Sequence, residues 1–224
     1  EVVSENEVNA NLYDLVMDDK LTQQADRVYK PRLYAAEHET ANAIAGMLLA
    51  HKGSTDPRLD SEIEKSQKRL GLLLSEKQQE AVRTCICEPI SIITGGPGTG
   101  KTTVLRAILD VYQHLGGVGV LQAAPTGRAS RRMMESTGLP ASTLHSALGL
   151  VTDDEDGEYM LSKEPLDAQF VVVDEMSMVD ILLAKELFTR IRPGTKVLLV
   201  GDADQLPSVG PGNVFRDLIM SGLI

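Results

Sequence analysis

The sequence predicts an α/β domain built on a parallel sheet, preceded by a small, mainly helical unit, and three observations lead to that prediction. From Leu72 onward, apolar runs of strand length alternate with helical stretches, the pattern of strands covered by crossover helices. The runs ISIIT, GVLQAA, FVVVDE and KVLLVG are rich in Val, Ile and Leu with little alternation, which suits strands buried on both faces. Ahead of Leu72, apolar residues recur instead at helical spacing. The expected division is therefore residues 1–71 for the helical unit and 72–224 for the α/β domain.

In the first unit, Leu12, Leu15 and Val16, then Leu33, Ala36, Ile44, Met47 and Leu48, mark short helices, with Lys52-Gly53 as a stop. Between them LTQQADRVYKP alternates loosely and breaks at Pro31, so helix, ribbon and helix would form a winged-helix-like unit. STDPRLDSEIEKSQKRL reads as a loop and then a charged helix with a solvated face. In the second unit TTVLRAILDVYQHLGG is the strongest helix. Its Val104, Ala107, Ile108, Val111 and Leu115 share one face, and Gly116-Gly117 ends it. VTDDEDGEYMLSKEP reads as two short strands around an acidic turn, a hairpin insert spanning about 149–165.

With 224 residues and 42% hydrophobic content, the chain can bury one sizeable core. No stretch approaches the roughly 18 consecutive apolar residues a membrane span needs. EVVSENEV has neither the basic end nor the apolar heart of a signal peptide. A cytoplasmic monomer with no membrane partner is expected, and a start at Glu1 rather than Met points to an excised piece. A net charge of -10 excludes an overall basic coat for nucleic acid, although a groove can be locally basic on an acidic body. Cys85 and Cys87, one residue apart with no further cysteine, are expected to be buried thiols.

Residues 95 to 103 read GGPGTGKTT between a strand and a helix, and G-x-x-x-x-G-K-[ST] matches from Gly95 to Thr102. Around Gly96, Pro97, Gly98, Thr99 and Gly100, main-chain amides can curl about a phosphate without Cβ clashes. Lys101 can then reach the β and γ phosphates of ATP and the Thr102 hydroxyl can bind Mg²⁺, with Thr103 beside them in the helix's first turn. A glycine-rich turn that binds nothing is the plain alternative. FVVVDEMSMVD brings Asp174 to the end of a central strand, where it can hold Mg²⁺, and Glu175 beside it, where a carboxylate can activate water. Capping of the following helix is the other reading of that pair.

Together LSEKQQEAV, the glycine loop, AAPTGRASRRM, STLHSALG, VVVDEMSMVD and LLVGDADQLPSVGPG resemble, in order, motifs Q, I, Ia, Ib, II and III of superfamily 1 helicases. They are most similar to the RecD-type 5′-to-3′ DNA helicases, over residues from about 72 to the end. The resemblance implies a RecA-like P-loop NTPase fold, ATP and Mg²⁺ as cofactors, and hydrolysis coupled to translocation on single-stranded DNA and unwinding of double-stranded DNA. It implies that Gln78 reads the adenine edge, although Ser75 and Gln78 also form an S-x-x-Q capping box. Gln205 would sense the γ phosphate, its alternative being an ordinary strand exit. Pro125, Thr126 and Arg128 would touch the single strand, with Arg131 and Arg132 completing a basic cluster that could equally be a solvated face. Thr143 and His145 match the next DNA-contacting motif, where a histidine alone would more often be a core or surface residue. The hairpin would be the duplex-splitting pin, but its acidic tip repels phosphates, so a plain surface hairpin stands beside that reading.

The chain stops at MSGLI soon after motif III, so the second RecA-like domain and motifs IV to VI are not among these residues. The resemblance then implies a fragment that binds nucleotide far better than it turns it over, because arginines from across the cleft are worth about 10³ or more in rate. Some RecD-type proteins are subunits of a nuclease complex. The sequence holds no nuclease-type carboxylate cluster, so nuclease or repair-complex partners would come by association. Two other readings stay open: the motor of a non-helicase machine, and a nonhydrolytic nucleotide-sensing or DNA-binding module, against which Glu175 argues.

Overall fold

A computed structural model describes residues 4–51, 53, 55–152, 159, 160 and 164–224. The first unit runs α1 (Glu5–Met17), β1 (Thr22–Gln24), β2 (Arg27–Tyr29), α2 (Pro31–Ala50) and α3 (Leu59–Leu70). Ser4 starts α1 with a reciprocal capping box to Glu7. β1 and β2 pair antiparallel, giving the helix, ribbon and helix that the sequence predicts. Pro31 opens α2 at its first turn, where its fixed φ fits and its missing N–H is not needed. Gly71, left-handed at φ 61°, closes α3.

The second unit begins with α4 (Glu76–Cys87), β3 (Ile90–Thr94), α5 (Lys101–His114), β4 (Val120–Ala124), α6 (Gly127–Thr137), β5 (Ala141–Thr143) and α7 (Leu144–Ala147). It continues with β6 (Val151–Thr152), β7 (Tyr159–Met160), β8 (Phe170–Val173), a 3₁₀ turn (Met176–Met178), α8 (Ile181–Phe188), β9 (Lys196–Gly201) and α9 (Val214–Ser221). β3, β9, β8, β4 and β5 lie side by side in that order, all parallel. Four of them are the four apolar runs. The fifth, β5, is unmarked in the sequence because three residues are too few to show a period, and it joins only by pairing with β4.

Both faces of the sheet are covered. Val171 and Val173 of β8 pack with Leu183, Leu187 and Phe188 of α8 and with Ile44 of α2. Phe170 and Val172 face the other way, toward Ile108 and Val111 of α5, Val82 of α4 and Ile63 of α3. This two-sided burial is why the strands read as continuous apolar runs. Phe170 also sets its ring 4.8 Å from that of Tyr112.

The first unit lies against this core rather than apart from it. Lys185 of α8 pairs with Glu39 of α2 at 3.2 Å. Arg69 of α3 bridges Glu62 at 2.7 Å and Asp110 of α5 at 2.6 Å. The outer face of α3 is solvated, as its charge predicts, while Leu59, Glu62, Ile63 and Ser66 are buried. In contrast, α1 has no buried side chain among its described residues.

β6 and β7 pair antiparallel as the two short strands of the insert, and the acidic turn between them lies outside the described residues. Cys85 is buried, which pushes its thiol up to about 12, whereas Cys87 is only half-buried. Both thiols are free, so the expectation of two buried cysteines holds for one.

Candidate functional site

Because the strands are parallel, their C-terminal ends share one edge, where the loops after β3, β8 and β9 converge on a cleft of about 560 Å³. The loop after β3 owes its shape to glycine. Gly98 and Gly100 are left-handed at φ 78° and 88°, and a Cβ on Gly100 would stand 2.8 Å from Gln78 Nε2. A Cβ on Gly95 would stand 2.8 Å from Thr99 Oγ1. Thr99 donates its hydroxyl to the Gly96 carbonyl at 2.8 Å, which tightens the turn. Gly100 occupies the cap position of α5 with no side chain to cap it, so the leading amides of that helix face the loop. The Lys101 ammonium donates to the carbonyls of Gly95 and Gly96 and so stays within the cradle.

Facing this cradle, β8 is followed directly by Asp174 and Glu175. The Glu175 amide donates to Asp174 Oδ1 at 2.8 Å. Glu175 is held at φ 52°, a left-handed conformation that costs a non-glycine residue about 1 kcal/mol or more and is concentrated at functional sites. Burial raises the pKa of Asp174. Burial also raises that of Glu175, and repulsion from Asp174 adds to it. The positive charges of Lys101 and Arg132 act on both carboxyls in the opposite direction.

β9 lies between β3 and β8, so the loop after it enters between the cradle and the acid pair. Gln205 lines the cleft there, and its Oε1 accepts from Ser177 Oγ at 3.4 Å. The same loop is fastened farther on. Ile181 N donates to Pro211 O at 2.9 Å, and a Cβ on Gly210 would fall 2.7 Å from Asp180 Cγ, so only glycine fits beside the cap of α8.

Gly96, Pro97, Gly98, Thr99, Gly100, Lys101 and Thr102 thus share one cleft with Asp174, Glu175 and Gln205. Thr103 is half-buried in the first turn of α5 and does not line it. Gln78 stands just outside. Its Oε1 accepts from Ser75 N at 3.0 Å in a complete capping box, and its Nε2 is turned toward Gly100, so the two readings of this residue are geometrically compatible.

Two charged residues of the cleft lie within the motif stretches but are given no nucleotide role by them. Asp202, 6% exposed, lines it where GDADQ draws attention only to its glutamine. Arg132, which the sequence places in a basic cluster, faces the cleft with Ala129, Met133 and Ser136, the i, i+3, i+4, i+7 face of α6. Arg128 and Arg131 are exposed and outside it. The helical spacing around Arg132 is the signal that could have separated the three.

Pro125, Thr126 and Arg128 follow β4, Thr143 ends β5 and His145 follows it, along the same sheet edge beyond the cleft. The register Ala124↔Thr143 brings the two segments together. Thr126 Oγ1 accepts from Ala129 N at 3.2 Å and Thr143 Oγ1 from Ser146 N at 3.1 Å, so each caps a helix and keeps a proton to donate.

The donor set suits a hard divalent cation that arrives with phosphate. Among the described residues no three His, Cys, Asp or Glu side chains stand where they could hold a metal by themselves. The Thr102 hydroxyl and the Asp174 carboxylate offer oxygen ligands, which fits Mg²⁺ shared with a nucleotide.

A family model described as AAA domain matches residues 78–211. The chain is 36% identical over 186 residues to the ATP-dependent RecD2 DNA helicase of Deinococcus radiodurans, an alignment covering 83% of this chain and 25% of that protein. It is 39% identical over 164 residues to the RecBCD enzyme subunit RecD of Haemophilus influenzae, covering 63% of this chain and 26% of that one. Bacteroides sp Pif1 in complex with ADP-AlF4 is a solved structure similar over 67% of this chain and 37% of its own, at 26% identity and a TM-score of 0.46. The chain spans about a quarter of the length of both curated relatives.

Proposed function

The chain belongs to the AAA domain family, and from that premise we propose that it is the N-terminal unit and first RecA-like motor domain of an ATP-dependent, RecD-like DNA helicase. Residues 1–71 would form the N-terminal unit, 72–224 the motor domain, and 149–165 a hairpin insert within it. One arrangement supports the reading: the glycine cradle with Lys101, the Asp174-Glu175 pair and Gln205 surround a single cleft.

In this reading, loop amides and Lys101 bind the β and γ phosphates of ATP. Thr102 and Asp174 hold Mg²⁺, which when bound offsets charge on the phosphate oxygens. Glu175, its carboxyl made more basic by burial, orients water and takes its proton. Gln205, tethered to Ser177, lies where loss of the γ phosphate can be felt and passed along the sheet edge. Pro125, Thr126, Arg128, Thr143 and His145 form the strand-facing rim for single- or double-stranded DNA.

Among the described residues no helix is long and apolar enough to cross a membrane; a cytoplasmic monomer is the proposed setting. The Haemophilus influenzae relative is named as a RecBCD subunit, which supports a nuclease or repair-complex partner for the intact protein.

Single-stranded DNA tests this reading. Saturating oligonucleotide is expected to stimulate ATP hydrolysis by the intact protein severalfold. A rate unchanged by DNA would favour the motor of a non-helicase machine.

Gln78→Ala separates the two roles of that residue. Loss of the reciprocal cap should cost about 1 kcal/mol in a denaturant melt. Loss of one hydrogen bond to adenine should cut the preference for adenine over guanine nucleotides about fivefold in competition binding. A melt that shifts while nucleotide preference stays the same would leave Gln78 as a cap alone.

A further inference from the structure

We propose that Arg132 is a nucleotide contact: carried on α6, its guanidinium holds the terminal phosphate of the triphosphate from within this chain. The inference rests on the nucleotide reading of the cleft and extends it to a residue whose motif resemblance points to the DNA side.

Ala129 and Met133 of α6 are buried, which fixes the rotation of the helix and directs the residue between them, Arg132, along the cleft wall with Ser136. Arg128 lies one turn back toward the strand-facing rim and does not reach the cleft. The three arginines of GRASRR therefore serve two surfaces, and of the three only Arg132 stands with the acid pair.

The charge balance of the cleft favours the same role. Three carboxylates line it, Asp174, Glu175 and Asp202, with two cations, Lys101 and Arg132. A nucleotide triphosphate would bring several further negative charges into that wall. Lys101 already donates to the loop carbonyls beneath the phosphate position. Arg132 forms no hydrogen bond or ion pair among the described residues, whereas Arg58, Arg69, Arg83, Arg190 and Arg192 are each paired with a carboxylate. Its planar fork of five donors is suited to two oxygens of one phosphate. Its influence already reaches the acid pair, where it opposes the effect of burial on both carboxyls.

A contact to the terminal phosphate must distinguish triphosphate from diphosphate. Titration calorimetry on the intact protein with Mg²⁺ would compare ADP with a nonhydrolysable ATP analogue. Arg132→Ala should weaken the analogue about 10- to 100-fold, the loss of a charge-assisted hydrogen bond, and leave ADP affinity within about twofold. Arg132→Lys should recover part of the loss, since it restores charge without the fork. The melting temperature should not move, because the side chain is exposed. Equal losses for both nucleotides would make Arg132 a mere counterion of the acid pair and overturn the proposal, as would no loss for either. Unmutated protein that binds neither nucleotide, or Lys101→Ala that binds both normally, would instead overturn the nucleotide reading of the cleft.

Discussion

Lys101→Ala in the intact protein is expected to lower ATP turnover by at least about 100-fold, the usual consequence of removing one preorganised donor from a site where charge develops. DNA unwinding should fall with it. The ammonium is held inside the glycine cradle, fixed by donation to the Gly95 and Gly96 carbonyls. Its removal leaves loop amides and the start of α5 as the groups of the cradle that can face the phosphates. The substitution should not unfold the chain, since the aliphatic stem is only half-buried and lies outside both apolar clusters. Steady-state hydrolysis and a strand-displacement assay would check it, and hydrolysis and unwinding retained at the unmutated rates would refute the assignment of Lys101 to the ATP phosphates.

The second large effect belongs to Glu175. Glu175→Gln should reduce turnover by about 10² to 10⁴, the range for a positioned general base, while Mg²⁺-ATP affinity stays within a few-fold. The two outcomes separate because Glu175 is assigned to the water rather than to metal or phosphate. Its environment suits a base. The backbone is left-handed at φ 52°, and burial with the neighbouring Asp174 charge makes the carboxylate more basic than a solvated one. The amide keeps the shape and loses the basicity. Single-turnover hydrolysis against equilibrium nucleotide binding would read the split. Full turnover in Glu175→Gln would overturn the assignment of Glu175 as the base, whereas an unmutated intact protein that binds Mg²⁺-ATP without hydrolysing it would favour a nonhydrolytic nucleotide-sensing module instead.

Much of the fold was legible because its signals are local. The glycine loop announces itself by composition, since Gly98 and Gly100 occupy backbone conformations that other residues rarely adopt. The long apolar runs mark strands, and Ser75, Pro31 and Gly71 punctuate helices where capping chemistry puts them. The strand β5 was not legible, because three residues carry no period and its existence depends on the partner edge offered by β4. The basic cluster at Arg128, Arg131 and Arg132 was visible as charge and misleading as a surface, because consecutive helical residues diverge by about 100° each.

By itself, then, the amino-acid order determined which segments become strands, helices and turns, and that a phosphate cradle and an acid pair exist. These follow from steric freedom, hydrogen-bond capping and hydrophobic spacing within a few residues. Only the tertiary structure decided that β9 runs between β3 and β8, so that Gln205 and Asp202 enter the cleft. It also decided that α6 turns Arg132 toward the same cleft. The physical reason is that parallel strands are joined by long crossovers, whose lateral order is set by how buried faces such as those of Phe170, Val172 and Met133 fill one core.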